Sequence, residues 1–388
     1  MNPGGDGTDA VPQVLLVVGT RPEAIKMAPV WNAFAARPEE AEVRLALTGQ
    51  HTDMVDQVLE AFSLTPDYDL GIMKEGQDLY DVVHGALEGL RDVVRDMRPD
   101  VLLVQGDTAT VFVGSLVGYF EGVRVGHVEA GLRSHDKWAP FPEEMFRRLC
   151  DVLSDYYFAP TLRAREALEA EGVPRARVHV TGNTVVDALL GMDVGEWKVR
   201  DETLARVMAG ARRFVLLTAH RRESFGEPLR EVFRAVRALA DAEAEVEIVY
   251  PVHPNPNVRG PAREMLADHP RIHLTDPLVY LDLVSALRHA DLVLTDSGGI
   301  QEEAPTFGVP VLVLREVTER PEGVEAGVAE LVGTDEGRIL ERARAALARG
   351  RGGAAANPYG DGRAGERIAD IVLADLSGSP RRTEDWKA

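Results

Sequence analysis

Short runs of valine, leucine and isoleucine alternate along this chain with longer stretches in which apolar positions recur every three or four residues. VLLVV (14–18), VRLALT (43–48), VLLVQ (101–105), VRVGHV (123–128), YYFAP (156–160) and VHVTG (178–182) are nearly continuous apolar runs. That pattern predicts strands buried on both faces of a parallel sheet, because a half-exposed strand would alternate. Helical patterns separate the runs, as in PEAIKMAPVWNAFAA, where Pro22 stands where a helix-opening proline belongs. The rhythm then restarts with RFVLLTA (213–219), VEIVYPV (246–252), RIHL (271–274), ADLVLTD (290–296) and VPVLVL (309–314). The expected fold is α/β, with two doubly wound, Rossmann-like domains over residues 11–182 and 183–363 and a ligand between them; their boundary falls near 182–199. Toward the end, RGRGGAAANPYGDG (349–362) reads as a surface loop. A helix follows at about 364–376, with Ile368, Ile371, Val372 and Leu376 at helical spacing, and the last dozen residues read as frayed.

Composition narrows the function classes. Of 388 residues, 45% are hydrophobic and 27% charged, which is ordinary globular usage and points to neither disorder nor a membrane protein. No apolar run approaches a bilayer span, and MNPGGDGTDA has neither the basic start nor the apolar centre of a signal peptide, so a cytoplasmic location is expected. With 43 basic against 63 acidic residues the net charge is -20, which argues against a nucleic-acid partner. An anionic ligand must then be held locally, by arginines or helix N-termini. The single cysteine, Cys150, excludes an internal disulfide and a cysteine-based zinc site.

Chemistry-bearing residues collect where strands end. The first strand runs into GTRPEAIKMAP, in which Arg21 and Lys26 stand near a helix N-terminus. They suit a phosphate subsite and equally a capped surface helix. There is no GxxxxGK[ST], and no GxGxxG follows this or any other predicted strand. Asp107 follows VLLVQ, where it reads either as a helix cap or as a catalytic acid. The next strand ends at His127 and Glu129, and FPEE opens a helix with Glu143 and Glu144. Acids converging from separate loops suit proton transfer better than anion binding. No ligand spacing for a metal accompanies them. In the second series, His220, Arg221, Arg222 and Glu223 follow FVLLTA, which fits phosphate or leaving-group stabilisation. His253 in YPVHPNP reads as readily as a packed loop histidine. In TDSGGIQEEAP, Ser297, Gly298 and Gly299 form a strand-to-helix turn able to face a phosphate, and Glu303 stands one turn on, where it could hold a ribose diol.

In this order GTRPEAIKMAP, GQH, QGDT, HVEAGLRS, PEE, GNTVVDAL, TAHRRE, YPVHPNP, TDSGGIQEEAP and TERPEG resemble the bacterial non-hydrolysing UDP-N-acetylglucosamine 2-epimerases, over roughly residues 12 to 376. The resemblance implies a glycosyltransferase-B-like fold, with two Rossmann-like domains facing a cleft and a C-terminal helix packed back on the first. It implies reversible interconversion of UDP-N-acetylglucosamine and UDP-N-acetylmannosamine by anti-elimination of UDP through 2-acetamidoglucal, with no cofactor and no metal, in a homodimer. A hydrolysing relative that releases free N-acetylmannosamine is the alternative. Carried over residue by residue, Asp107, Glu129 and Glu143 become the catalytic carboxylates, joined by His220. Arg21, Lys26, Ser297, Gly298, Gly299 and Glu303 become the UDP-binding groups. Gln50, His51, Gln77, Arg221 and His253 match a second site at which the substrate acts as activator. Thr52 and Asp53 depart from that pattern, as does Gly76, which stands in place of an arginine; weak or absent activation is the expectation unless Lys74 or Arg133 supplies the missing charge.

Overall fold

The computed structural model describes residues 11–49, 52–74, 76–192, 197–210, 212–352 and 357–387. The chain divides into two compact units. One comprises the residues up to Ala188 together with Gly360–Lys387; the other runs from Leu189 to Tyr359.

The first unit is built on a seven-stranded parallel sheet. Its strands are β1 (Gln13–Val18), β2 (Glu42–Leu47), β3 (Tyr68–Asp69), β4 (Val101–Gln105), β5 (Arg124–Val128), β6 (Tyr156–Ala159) and β7 (Val178–Val180), in the order β3-β2-β1-β4-β5-β6-β7. The second unit has a six-stranded sheet of β8 (Arg213–Thr218), β9 (Val246–Pro251), β10 (Ile272–Thr275), β11 (Leu292–Thr295), β12 (Val311–Val313) and β13 (Ala329–Leu331), ordered β10-β9-β8-β11-β12-β13. All recorded pairings are parallel. Each sheet reverses direction once, between β1 and β4 and between β8 and β11. Loops leaving the carboxyl ends of two such strands diverge to opposite faces, which opens the crevice where α/β folds bind ligands.

The continuous apolar runs are the strands, and their side chains are buried on both faces: Leu15, Val17, Leu102 and Val104 in the first unit, and Val215, Leu217, Ile248 and Leu294 in the second. Each fully buried leucine or valine removes enough apolar surface to stabilise its sheet by roughly 1.5–3 kcal/mol. Cys150 lies in the first core, with Sγ 2.9 Å from Ser115 Oγ.

The structure departs from three expectations. The predicted strands all form, but β3 and β13, of two and three residues, were not anticipated. The last residues are also not frayed. Arg382 makes a bidentate pair with Glu40 at 2.9 Å, Asp370 accepts from the backbone of Arg382 and Thr383, and buried Trp386 donates its N–H to Val180 O at 2.7 Å. Within the expected surface loop, residues 353–356 lie outside the described residues, whereas Tyr359 is buried and accepts from Gly323 N at 3.0 Å. The helix Ala364–Ser377 packs on the helix Arg21–Ala35 within the first unit. Gly365 lets them approach, since a Cβ there would fall 2.6 Å from Pro29 O. No helix among the described residues is long and apolar enough to cross a membrane.

Candidate active site

At the reversal point of the first sheet, β1 ends in Gly19, where a Cβ would lie 2.2 Å from Thr110 Oγ1 and 2.7 Å from Thr48 Oγ1. Only glycine lets the chain turn so close to its neighbours. The turn is closed by Glu23, which the sequence reading passed over. Its buried carboxylate accepts from Gly19 N at 2.6 Å, Thr20 Oγ1 at 2.9 Å and Thr108 Oγ1 at 2.7 Å, which ties the β1 loop to the β4 loop. The signal was available, because Thr20-x-x-Glu23 is the spacing of a capping box. Burial outweighs those hydrogen bonds and pushes the Glu23 carboxyl up to about 7. Arg21, half-buried at the first helical position, makes no hydrogen bond or ion pair among the described residues. Lys26, expected at the UDP phosphates, donates to both oxygens of Glu129 at 2.6 and 2.8 Å.

Glu129 stands just past the end of β5 with φ 70°. That left-handed conformation is uncommon for a side chain of this size and costs roughly 1–3 kcal/mol. Such outliers persist where their surroundings fix them, and Glu129 is fixed. Besides Lys26 it accepts from the Gln105 amide, and its N–H donates to Phe158 O at 3.0 Å. Asp107 lies one loop away, after Gly106. The capping role considered for it is not realised: Thr108 occupies the N-cap position and gives its hydroxyl to Glu23, while Asp107 accepts from Arg147, whose Nε is 3.1 Å away. Arg147 was also missed, although its spacing from Glu143 and Glu144 puts all three on one side of the helix Glu143–Leu153. Glu144 is fully buried and structural. It accepts from the N–H groups of Ser134 and His135 at 3.0 and 3.2 Å and from Arg147 at 3.2 Å, closing the loop that leads back to Glu143. Glu143 keeps one buried carboxylate oxygen, Oε2, with no hydrogen-bond partner among the described residues.

At the reversal point of the second sheet, buried Asp296 follows β11 and accepts the N–H groups of His220 and Arg221 at 2.6 and 2.8 Å. Its other oxygen lies 3.5 Å from His220 Nδ1. The His220 ring stacks on exposed His253, centroids 5.4 Å apart. Burial, with smaller contributions from His253 and Arg221, lowers the His220 imidazole against the pull of Asp296. Ser297 is the N-cap of the helix Gly298–Glu303 and makes no side-chain cap bond. The Arg221 guanidinium reaches the start of that helix, with Nη2 3.8 Å from where a Gly298 Cβ would be, and its Nε is buried without a hydrogen bond among the described residues. Glu303 Oε1 approaches Gly299 in the same way, at 3.7 Å.

Of the residues matched to an activator site, Gln50 and His51 lie outside the described residues. Gln77 is spent on its own loop, donating to Ile72 O and accepting from Lys74 N, each at 2.7 Å. Gly76 beside it is exposed with φ 77°. Arg133 is committed to Asp151 and Glu171.

A family model described as UDP-N-acetylglucosamine 2-epimerase matches residues 33–373. The UDP-N-acetylglucosamine 2-epimerase of Escherichia coli K12 is 47% identical over 372 residues, covering 93% of this chain and 98% of its own. A crystal structure from Listeria monocytogenes superimposes with a TM-score of 0.89 at 44% identity, covering 98% of this chain and 100% of its own. The Neisseria meningitidis UDP-GlcNAc 2-epimerase, solved bound to UDP-GlcNAc, does so at 0.81 and 41%, covering 93% and 99%. Nearly full-length coverage at such identity, with close superposition of the solved structures, leaves one assignment: the chain belongs to the UDP-N-acetylglucosamine 2-epimerase family.

Proposed function

We propose that this chain interconverts UDP-N-acetylglucosamine and UDP-N-acetylmannosamine by anti-elimination and re-addition of UDP. The hydrogen on carbon 2 of the sugar is not acidic. Its removal must therefore be coupled to loss of UDP from carbon 1, with a base at carbon 2 and a stabilised leaving group, both at fixed positions. UDP and a proton depart, a carbon 1–carbon 2 double bond forms, and re-addition to that bond with the proton delivered to the opposite face inverts carbon 2.

The observation that carries this reading is the set of acids at the first reversal point. Glu129 is held in a strained backbone by Lys26 and Gln105, Asp107 is held by Arg147, and Glu143 has a buried oxygen with no partner among the described residues. Three acids in three different settings suit the two proton transfers that the route requires. The second unit carries groups suited to a diphosphate leaving group. His220 and Arg221 are anchored by Asp296, and Ser297, Gly298 and Gly299 present first-turn N–H groups to a phosphate, with Glu303 for the ribose. In the first unit, Arg21 is a cation free of protein partners among the described residues. Neither step calls on a metal or a nicotinamide.

A hydrolysing enzyme would share the elimination and then admit water. Product analysis separates the two: UDP-N-acetylmannosamine from UDP-N-acetylglucosamine supports the reading, and free N-acetylmannosamine with UDP overturns it. The same reading includes a cytoplasmic location and a homodimer, the latter supported by exposed Tyr119, Phe120 and Val152 on the neighbouring helices Ala109–Glu121 and Glu143–Leu153.

A further inference from the structure

Behind Glu129 and Asp107 runs a chain of buried charges that the elimination does not consume. His127 is fully buried near the end of β5. Its Nδ1 is 2.6 Å from Asp151 Oδ1 and its Nε2 is 2.8 Å from the carbonyl oxygen of Gly106. A carbonyl only accepts. Asp151, whose other oxygen takes a hydrogen bond from Arg133 at 2.7 Å, is a carboxylate and only accepts as well. Both ring nitrogens therefore carry hydrogen, and the ring is an imidazolium. Its surroundings agree. Asp151 and Cys150 face it from the helix Glu143–Leu153, Arg133 comes from the loop after β5 and is held in turn by Glu171 at the end of the helix Leu162–Ala170, and Tyr157 stands opposite on β6. Burial by itself would lower the ring and raise the carboxyl. Cys150 and Asp151 outweigh it for His127, and His127 and Arg133 outweigh it for Asp151.

The two hydrogen bonds lead to the two parts of the site that carry acids. Gly106, with φ 87°, is the residue before Asp107. Asp151 lies two turns along the helix that opens with Glu143 and carries Arg147. We propose that His127 is the positioning residue of this site: it pins the Gly106 carbonyl, which aims Asp107, and through Asp151 it fastens to β5 the helix that bears Glu143 and Arg147. The inference rests on the reading of Asp107 and Glu143 as catalytic acids. His127 itself touches no reacting atom.

The test has two arms. In the unmodified protein labelled with nitrogen-15 histidine, one of the ten imidazoles should keep both nitrogens protonated from pH 6 to pH 9, and that signal should vanish in His127→Gln. A His127 ring that is neutral at pH 7 overturns the proposal, whether or not any variant folds. In the second arm, Asp151→Asn keeps the shape and removes the charge. Its kcat should fall by about 10²-fold, the penalty of roughly 1 Å of misplacement, while KM and UDP affinity stay within about threefold. The double variant His127→Gln/Asp151→Asn, in which two amides can bond again, should recover part of the loss. A folded Asp151→Asn protein with unchanged kcat, or with KM and kcat changed alike, overturns the proposal. If the unmodified chain showed the imidazolium but turned over no UDP-sugar, the functional reading would fall and the pinned Gly106 carbonyl would stand.

Discussion

The carboxyl ends of the two sheets share one topology and differ in how their polar groups are satisfied. At the first, side chains bond to side chains across long sequence distances: Lys26 with Glu129, Arg147 with Asp107, and Thr108 with Glu23. At the second, a buried carboxylate, Asp296, bonds to backbone N–H groups, and the guanidinium of Arg221 stands against a glycine-opened helix start. A fixed arrangement of acids and bases is what proton transfer needs, because geometry is then set before the substrate arrives. Backbone groups with capacity to spare are what an anion needs. The difference teaches that one fold, used twice, satisfies its strand-end polar groups in two ways, the first suited to the proposed chemical step and the second to the proposed nucleotide site.

Breaking the first region should cost the most. Glu129→Gln preserves shape and removes the charge that Lys26 holds; the account predicts a loss of about 10²-fold or more in kcat, with UDP affinity retained when measured by calorimetry. The next effect is on stability. Folded Glu23 keeps its proton up to about pH 7, whereas the unfolded chain releases it in the ordinary glutamate range. The folded state thus binds the extra proton in that window, and its stability is full below the window and falls as pH rises through it, by about 3 kcal/mol in all. Urea titrations at pH 4.5, 6 and 8 should show that decline, and Glu23→Gln should flatten it. Arg221→Gln probes the second region. Loss of a charge-assisted contact should weaken UDP binding by about 1.5–3 kcal/mol and, because the same cation would stabilise departing UDP, also slow the chemical step of bound substrate in single-turnover experiments, by less than Glu129→Gln does. The smallest effect concerns activation. With Gln77 engaged in its own loop, Arg133 engaged elsewhere and Gly76 in place of a cation, the reverse reaction started from pure UDP-N-acetylmannosamine should begin at its full rate. A lag that ends on adding a trace of UDP-N-acetylglucosamine would contradict this.

Sequence carried the architecture well, because strands buried on both faces announce themselves as unbroken apolar runs. It failed for β3 and β13, which are too short to display a pattern, and for the C-terminal tail, where the polar residues around Trp386 gave no hint that the ring is buried. The acids at the first reversal point were legible as residues placed just past strand ends. Their partners were not. Lys26 and Glu129 are 103 positions apart, and nothing local marks that pairing. Glu23 was readable as part of a capping box, but its bond to Thr108 follows only once β1 and β4 lie side by side. His127 was noted as the end of a strand, and only the assembled sheet reveals Gly106 and Asp151 at its two nitrogens.

The central claim is that the acids of the first unit exchange the hydrogen on carbon 2 while UDP leaves and returns. It is tested most directly by incubating the chain with UDP-N-acetylglucosamine in deuterated water and examining the sugar nucleotide by NMR. The account predicts UDP-N-acetylmannosamine with deuterium at carbon 2. Inverted product that retains its original hydrogen at carbon 2 would contradict it.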